Sequence, residues 1–272
     1  MSQAVDLSKS VVIVTGAARG LGRTMTLGLL EGGARVGAVD LPQSRDLLAD
    51  LLSEAAGRGV RNRLFSAYGS VTDEKDCQRV VQEIAAHFGS VTGLVNNAGR
   101  GMNEVTEHIH SRPKKFYEVE PALWCGIMHT NVDGPYMMAC AVVPHLLAQG
   151  WGRIVNLVTS FVTMLRMGYS PYGPSKAALE AATVIWAKDL ASTGVTVNAL
   201  FPGGPADTRM IPSADVPDRA GLIKPEVMVA PVRWLMSRAS DGVTGWRFIG
   251  NDWDPTLDPQ EAAKKAGRPG AW

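Results

Sequence analysis

Seven short apolar runs, rich in β-branched residues, punctuate the chain: VVIVTG from position 11, ARVGAVD from 34, RNRLFSAYG from 61, VTGLVNNAG from 91, GRIVNLVTS from 152, VTVNALFPG from 195 and VTGWRFIG from 243. They are largely continuous rather than alternating, the pattern of strands covered on both faces. Helical patterns separate them. Strand then helix, repeated, predicts one doubly wound α/β domain whose parallel sheet is joined by right-handed crossovers and carries helices on both faces.

One helix reads with particular clarity, over 171–193 (PYGPSKAALEAATVIWAKDLAST). Pro174 belongs in a first turn, where the N–H it lacks would have no intrahelical partner. Ala177, Ala178, Ala181, Val184, Ile185 and Leu190 mark a buried face, and Gly194 supplies the stop. Tyr172 and Lys176 stand four residues apart, about one turn, and so share a face. Three segments lack either period: 100–122, 202–226 and the stretch from 251. Residues 1–250 therefore read as the domain and 251–272 as a C-terminal tail, with the two long loops placed where specificity tends to reside.

The length of 272 residues suits one large domain. With 27 Lys and Arg against 26 Asp and Glu, the chain has no electrostatic footprint for nucleic acid or an anionic membrane. No apolar run approaches the ~18 residues of a membrane span. The N-terminal MSQAVDLSKS has no apolar core of a signal peptide, so the expectation is a soluble cytoplasmic protein. Cys77, Cys125 and Cys140 are odd in number and lack C-x-x-C spacing, against both a disulfide framework and a zinc site. Cys125 and His129 form an i,i+4 pair, and His108 and His110 lie in the 100s loop, without further ligands at sensible spacing, so no metal is expected. Arg112, Lys114 and Lys115 read as a solvated loop, with an anionic substrate group as the other reading.

The first strand runs directly into TGAARGLGR, where Gly16, Gly20 and Gly22 form G-x-x-x-G-x-G ahead of a helix. Glycines there let backbone N–H groups approach a pyrophosphate at the helix N-terminus. The second strand ends at Asp40, 18 residues beyond Gly22, close to the separation at which an acid meets the ribose hydroxyls of a dinucleotide. A carboxylate repels a 2′-phosphate, which favours NAD over NADP, while Arg19 inside the loop offers a cation to such a phosphate.

With TGAARGLG, VDLP, NNAG, Asn131 and the Tyr172/Lys176 pair in order, the chain resembles the classical short-chain dehydrogenase/reductase family over residues 8–250. The resemblance implies a seven-stranded sheet in the order 3-2-1-4-5-6-7 and an NAD(H)-dependent interconversion of a secondary alcohol and a ketone. It places the dinucleotide against Gly16, Arg19, Gly20, Leu21, Gly22, Asp40, Leu41, Asn97, Ala98 and Gly99, against Tyr172 and Lys176, and against Pro202, Gly203 and Thr208 at its nicotinamide end. Where the family often carries Asp after the third strand, this chain has Ser70, with Val71 as the adenine contact; Thr208 comes one residue later than usual.

The family tetrad of Asn, Ser, Tyr and Lys maps onto Asn131, a hydroxyl residue, Tyr172 and Lys176. Counting back 13 residues from Tyr172 reaches Thr159, while the serine is its neighbour, Ser160, so both remain candidates. In these roles Tyr172 is the acid/base, Lys176 lowers its pKa from ~10 toward neutrality and holds the nicotinamide ribose, and Asn131 holds a water beside Lys176. Met164, Met167 and Tyr169 fall where the family lines its substrate pocket. Tyr169 also gives Y-x6-K spacing with Lys176, the register of enoyl reductases, with Tyr169 then the acid; a non-catalytic dinucleotide-binding redox sensor is the other alternative. The family further implies a homotetramer, or a homodimer, packed through helices near 133–149 and 172–193.

Overall fold

A computed structural model of the chain describes residues 5–271. Each of the seven apolar runs contains a strand: β1 (Val11–Thr15), β2 (Arg35–Asp40), β3 (Leu64–Tyr68), β4 (Gly93–Asn96), β5 (Gly152–Leu157), β6 (Val195–Phe201) and β7 (Trp246–Ile249). They lie in the order β3-β2-β1-β4-β5-β6-β7, all parallel, with Val12 opposite Val36 on one side and Gly93 on the other. An eighth strand, β8 (Gly267–Pro269), pairs antiparallel to β7 with Arg268 opposite Arg247. The tail thus completes the sheet. GRP has no strand pattern of its own; the helix Pro259–Ala266, whose first turn is capped by the Asp258 carboxylate, turns the chain back to meet β7.

Both faces of the sheet are covered. On one, α1 (Gly20–Glu31), α2 (Arg45–Gly57) and α8 (Val229–Leu235) bury Met25, Leu29, Leu48, Leu51 and Trp234. On the other, α3 (Glu74–Phe88), α5 (Gly134–Gln149) and α7 (Tyr172–Asp189) bury Val80, Ile84, Met138, Val142 and Ala187. Covering both faces is what makes the strands continuous apolar runs. Helix α7 ends at Asp189, short of the expected 193, because the chain needs room to re-enter the sheet at Val195. The turn uses Gly194 at φ +80°, and the Thr193 hydroxyl accepts the N–H of Val195 at 3.2 Å.

Helix α4 (Pro121–Met128) leads into α5 through a π turn over His129–Asp133. This wide turn places Asn131 inside the molecule, with 0% exposure. Single π turns within α-helices frequently occur at functional sites. Among the described residues, no helix is long and apolar enough to cross a membrane.

Candidate active site

The β1 exit and the glycine loop are built for close approach. Gly16 and Gly20 adopt φ +64° and +53°. A Cβ on Gly22 would overlap the Gly16 carbonyl and stand 2.5 Å from Asn97 Nδ2. That amide is committed, donating to the carbonyls of Thr15 at 2.9 Å and Gly16 at 3.0 Å. The Thr15 hydroxyl accepts the N–H groups of Asn97 and Ala98. The ends of β1 and β4 are thereby laced together beneath the N-terminus of α1. That terminus has no acid in its first turn and no side-chain cap from Arg19, which leaves its dipole available to an anion.

Asp40 flanks the loop. Its Oδ2 accepts the Ala18 N–H at 2.9 Å, and its Oδ1 accepts Leu41 N–H and the Ser44 hydroxyl at 2.8 and 2.9 Å. Ser70 and Val71 follow β3 beside it, where the Gly69 N–H reaches the Asp40 carbonyl at 3.0 Å. From the other side, Thr208 folds over the loop: a Cβ on Gly20 would stand 3.3 Å from its methyl group. Pro202 accepts the Asn251 N–H at 2.8 Å and leads to Gly203 at φ +111°. Leu21 packs on the core, while the Leu41 side chain is half exposed beyond Asp40. A groove with glycines at its floor, backbone donors at a helix end and an acid at its side fits a dinucleotide.

Helix α7 presents Tyr172 and Lys176 to the end of β5. The Thr159 hydroxyl lies beside the Tyr172 phenol and favours its charged form. Ser160 is used otherwise: its Oγ caps the short helix α6 (Phe161–Met164), accepting the Thr163 N–H at 3.1 Å. Thr159 therefore lies beside the phenol, while the Ser160 hydroxyl is engaged in the cap of α6. Lys176 lies with Nζ 5.9 Å from the Tyr172 ring centroid and donates to the Leu157 carbonyl at 2.6 Å. Burial pushes the Tyr172 phenol up to about 12, against the Thr159 hydroxyl, which lowers it. Burial also lowers Lys176 to about 8. The expected depression of the phenol toward neutrality is not present in the chain by itself, because desolvation of the phenolate outweighs the Thr159 hydroxyl.

Asn131 joins this cluster. Its Oδ1 accepts the Arg100 N–H at 2.8 Å, and its Nδ2 donates to the Arg100 carbonyl at 2.9 Å and the Ser175 hydroxyl at 3.0 Å. It therefore ties the chain after β4 to α7. A Cβ on Gly99 would stand 3.2 Å from Asn131 Oδ1 and 3.7 Å from Lys176 Nζ, so glycine keeps this passage open.

The pocket-wall expectations divide. Met164 is 5% exposed and packs with Val158, Leu179, Ala199 and Phe201, which makes it a core residue rather than a substrate contact. It lies on the inner side of α6, a direction that spacing alone does not reveal. Met167 is 66% exposed at the rim, with the Lys115 ammonium 3.3 Å from its sulfur. Tyr169 lies beside Tyr172, ring centroids 6.5 Å apart, in an apolar cluster with Met102, Val105, Ile109 and Ile127. Its hydroxyl is bonded to His110 Nε2 at 3.2 Å, and His110 Nδ1 lies 2.7 Å from Asp215. Burial would raise the Asp215 carboxyl, but hydrogen bonds from His110 and Ser111 outweigh it and hold the group at about 2. This chain fastens the 100s and 200s loops to each other over the tyrosine pair, a link across 105 residues that no local pattern signals. Among the described residues, no group of three or more His, Cys, Asp or Glu side chains is placed to hold a metal ion.

The family model of the short chain dehydrogenases matches residues 10–216. The chain therefore belongs to the short-chain dehydrogenase family, a family of oxidoreductases. Nodulation protein G of Azospirillum brasilense is 31% identical over 248 residues, spanning 88% of this chain and 95% of that protein. A gluconate 5-dehydrogenase from Burkholderia cenocepacia, solved with NADP and tartrate, superposes with a TM-score of 0.77 at 27% identity, covering 93% of this chain and 95% of that one. A 3-ketoacyl-(acyl-carrier-protein) reductase from Brucella melitensis, solved with NADH, gives a TM-score of 0.72 at 26% identity over 86% and 93% of the two chains.

Proposed function

We propose that this protein interconverts a secondary alcohol and a ketone with a nicotinamide dinucleotide, Tyr172 giving or taking the hydroxyl proton. The observation that carries this reading is Lys176 Nζ standing 5.9 Å from the Tyr172 ring centroid, with the Thr159 hydroxyl beside the same phenol. The dinucleotide, when bound, supplies or accepts the hydride. Gly16, Gly20, Leu21 and Gly22 would hold its pyrophosphate, Asp40 and Leu41 its adenosine ribose, Ser70 and Val71 its adenine, and Asn97, Ala98, Gly99, Lys176, Pro202, Gly203 and Thr208 the nicotinamide half. Thr159 would orient the substrate oxygen by the same hydroxyl that lies beside Tyr172. Tyr172 would then exchange the proton with that oxygen, and the nearby Lys176 ammonium favours the phenolate. Tyr169, the acid of the alternative register, instead has its hydroxyl 3.2 Å from His110 Nε2. A redox sensor has no use for a paired tyrosine and lysine. The test is a turnover screen of secondary alcohols, sugars, steroids and aryl ketones with both dinucleotides; no change in nicotinamide absorbance with any of them would remove the reading.

NAD is the proposed cofactor, supported by the Asp40 carboxylate beside the glycine loop, where a 2′-phosphate would meet like charge. Kinetics with the two cofactors should show a higher kcat/KM with NAD, and Asp40→Ala should narrow the ratio about tenfold by removing that repulsion. Equal efficiency with NADP in the unaltered protein would contradict the assignment.

A homotetramer is likewise proposed. Tyr136 and Leu147 on α5 and Ile185 on α7 are 57%, 46% and 55% exposed, large apolar side chains that a symmetry mate would cover. Light scattering at micromolar concentration should give a multiple of the 29.0 kDa chain, and a monomer would refute this.

A further inference from the structure

Behind the hydroxyl of Thr159 stands a buried charge that the chemistry above does not use. Arg247, on β7, is 4% exposed. Its guanidinium lies 3.7 Å from the Phe161 ring centroid and 4.6 Å from that of Phe201. One of its terminal nitrogens donates to the Thr159 carbonyl at 2.9 Å. Its Nε faces Glu180 Oε1 at 3.6 Å, and Glu180, 1% exposed, lies one turn beyond Lys176 on α7. The same carboxylate oxygen accepts the Ala271 N–H at 3.2 Å. Residues 267–271 are held there by β8 and by the Gly270 N–H, which donates to the Gly245 carbonyl at 2.8 Å. A Cβ on residue 270 would stand 2.7 Å from that carbonyl, so glycine lets the two backbones close.

A buried ion pair seldom adds net stability over apolar residues of similar volume, so this one asks for another explanation. We infer that Arg247 is a positioning residue for Thr159, and that the C-terminal segment holds Arg247 in place through Glu180. The inference rests on the reading of Thr159 and Tyr172 given above. Two contacts flank the Thr159 peptide: Arg247 on its carbonyl, and the Ser160 cap of α6 immediately after it. Between them the Thr159 side chain is directed at the Tyr172 phenol. Without the guanidinium the carbonyl is free to rotate, and the hydroxyl loses its aim. The path from chain end to reacting oxygen is Ala271, Glu180, Arg247, Thr159, Tyr172.

The test uses the protein with 13Cζ-labelled tyrosine, the Tyr172 resonance being assigned by its loss in Tyr172→Phe. This readout needs neither substrate nor cofactor. Arg247→Met removes the donor; the pair Arg247→Met with Glu180→Leu removes both charges, so that an unpaired buried carboxylate does not unfold the protein. A third variant ends at Ala266. Each is expected to shift the Tyr172 resonance toward its position in Thr159→Val. With the alcohol that the turnover screen identifies, kcat should fall about tenfold, the loss of one hydrogen bond's worth of orientation. The dissociation constant for NADH should change less than twofold. In a Thr159→Val background, Arg247→Met should lower kcat no further, whereas Arg247→Lys in the unaltered background should recover part of the loss. A Tyr172 resonance that moves in Thr159→Val but stays fixed in all the Arg247 variants, with kcat unchanged, overturns the inference alone. A resonance and turnover indifferent to Thr159→Val overturn the reading of Thr159, and the inference with it.

Discussion

Tyr172→Phe is expected to lower kcat by about 10³-fold, within the range that a positioned acid or base contributes, while leaving NADH affinity nearly unchanged. Only the transferring oxygen is lost; the ring keeps its place against Tyr169. Lys176→Ala should behave differently. Removing an ammonium 5.9 Å from the ring withdraws a nearby cation that favours the phenolate, so the phenol rises further. Alcohol oxidation needs the phenolate, and the rise of its rate with pH should therefore move to higher pH in this variant. In the unaltered protein the lysine's own charge is present below about 8, the value to which burial lowers it, and fades above that pH. The Y-x6-K register assigns the crippling change to Tyr169→Phe instead. Steady-state kinetics of the three variants in both directions, over a range of pH, separates these outcomes; near-normal turnover of Tyr172→Phe would end the proposed mechanism.

The second large effect is expected at Gly22, where one methyl group has nowhere to go. Its Cβ would overlap the Gly16 carbonyl, and the other near neighbour is the Asn97 amide, already bonded to two carbonyls. Neither is the free end of a flexible side chain, so relief must come from separating α1 from the β1 and β4 exits. Gly22→Ala should cost about 3 kcal/mol, at the upper end for overpacking, and weaken NADH binding at least tenfold by displacing the backbone donors at the helix end. Urea unfolding and a fluorescence titration measure the two quantities. Unchanged midpoint and affinity would show that the loop is not the tight cradle described.

What could be read in the sequence was whatever the chain encodes locally. The parallel strands declare themselves because double burial leaves no polar position to interrupt them, as in β1 and β6. The glycine loop and the start of α7 are equally legible, since a tight turn and a helical first turn each demand particular residue types. Long-range contacts are not. Thr159 and Ser160 are chemically alike, and only the cap that Ser160 supplies to α6 tells them apart. Met164 looks like a pocket residue until the direction of α6 is known. Arg247 within WRFIG and Glu180 within AALEAAT carried a usable signal, a charge of each sign inside an apolar run, and opposite charges so placed invite pairing. Nothing in GRP marks β8, because its pairing is decided by β7 and by the helix before it.

That last strand also determines how the sheet terminates on this side. It is three residues long, one of them Pro269, which has no N–H to offer, and another Arg268, whose exposed cation would have to be desolvated by an incoming neighbour. Short length, proline and charge are the devices by which outermost strands discourage further pairing. Association by continuing the sheet from one molecule into the next is therefore disfavoured at this border, and removing residues 267–271 would uncover a templating surface on β7 that β8 keeps closed.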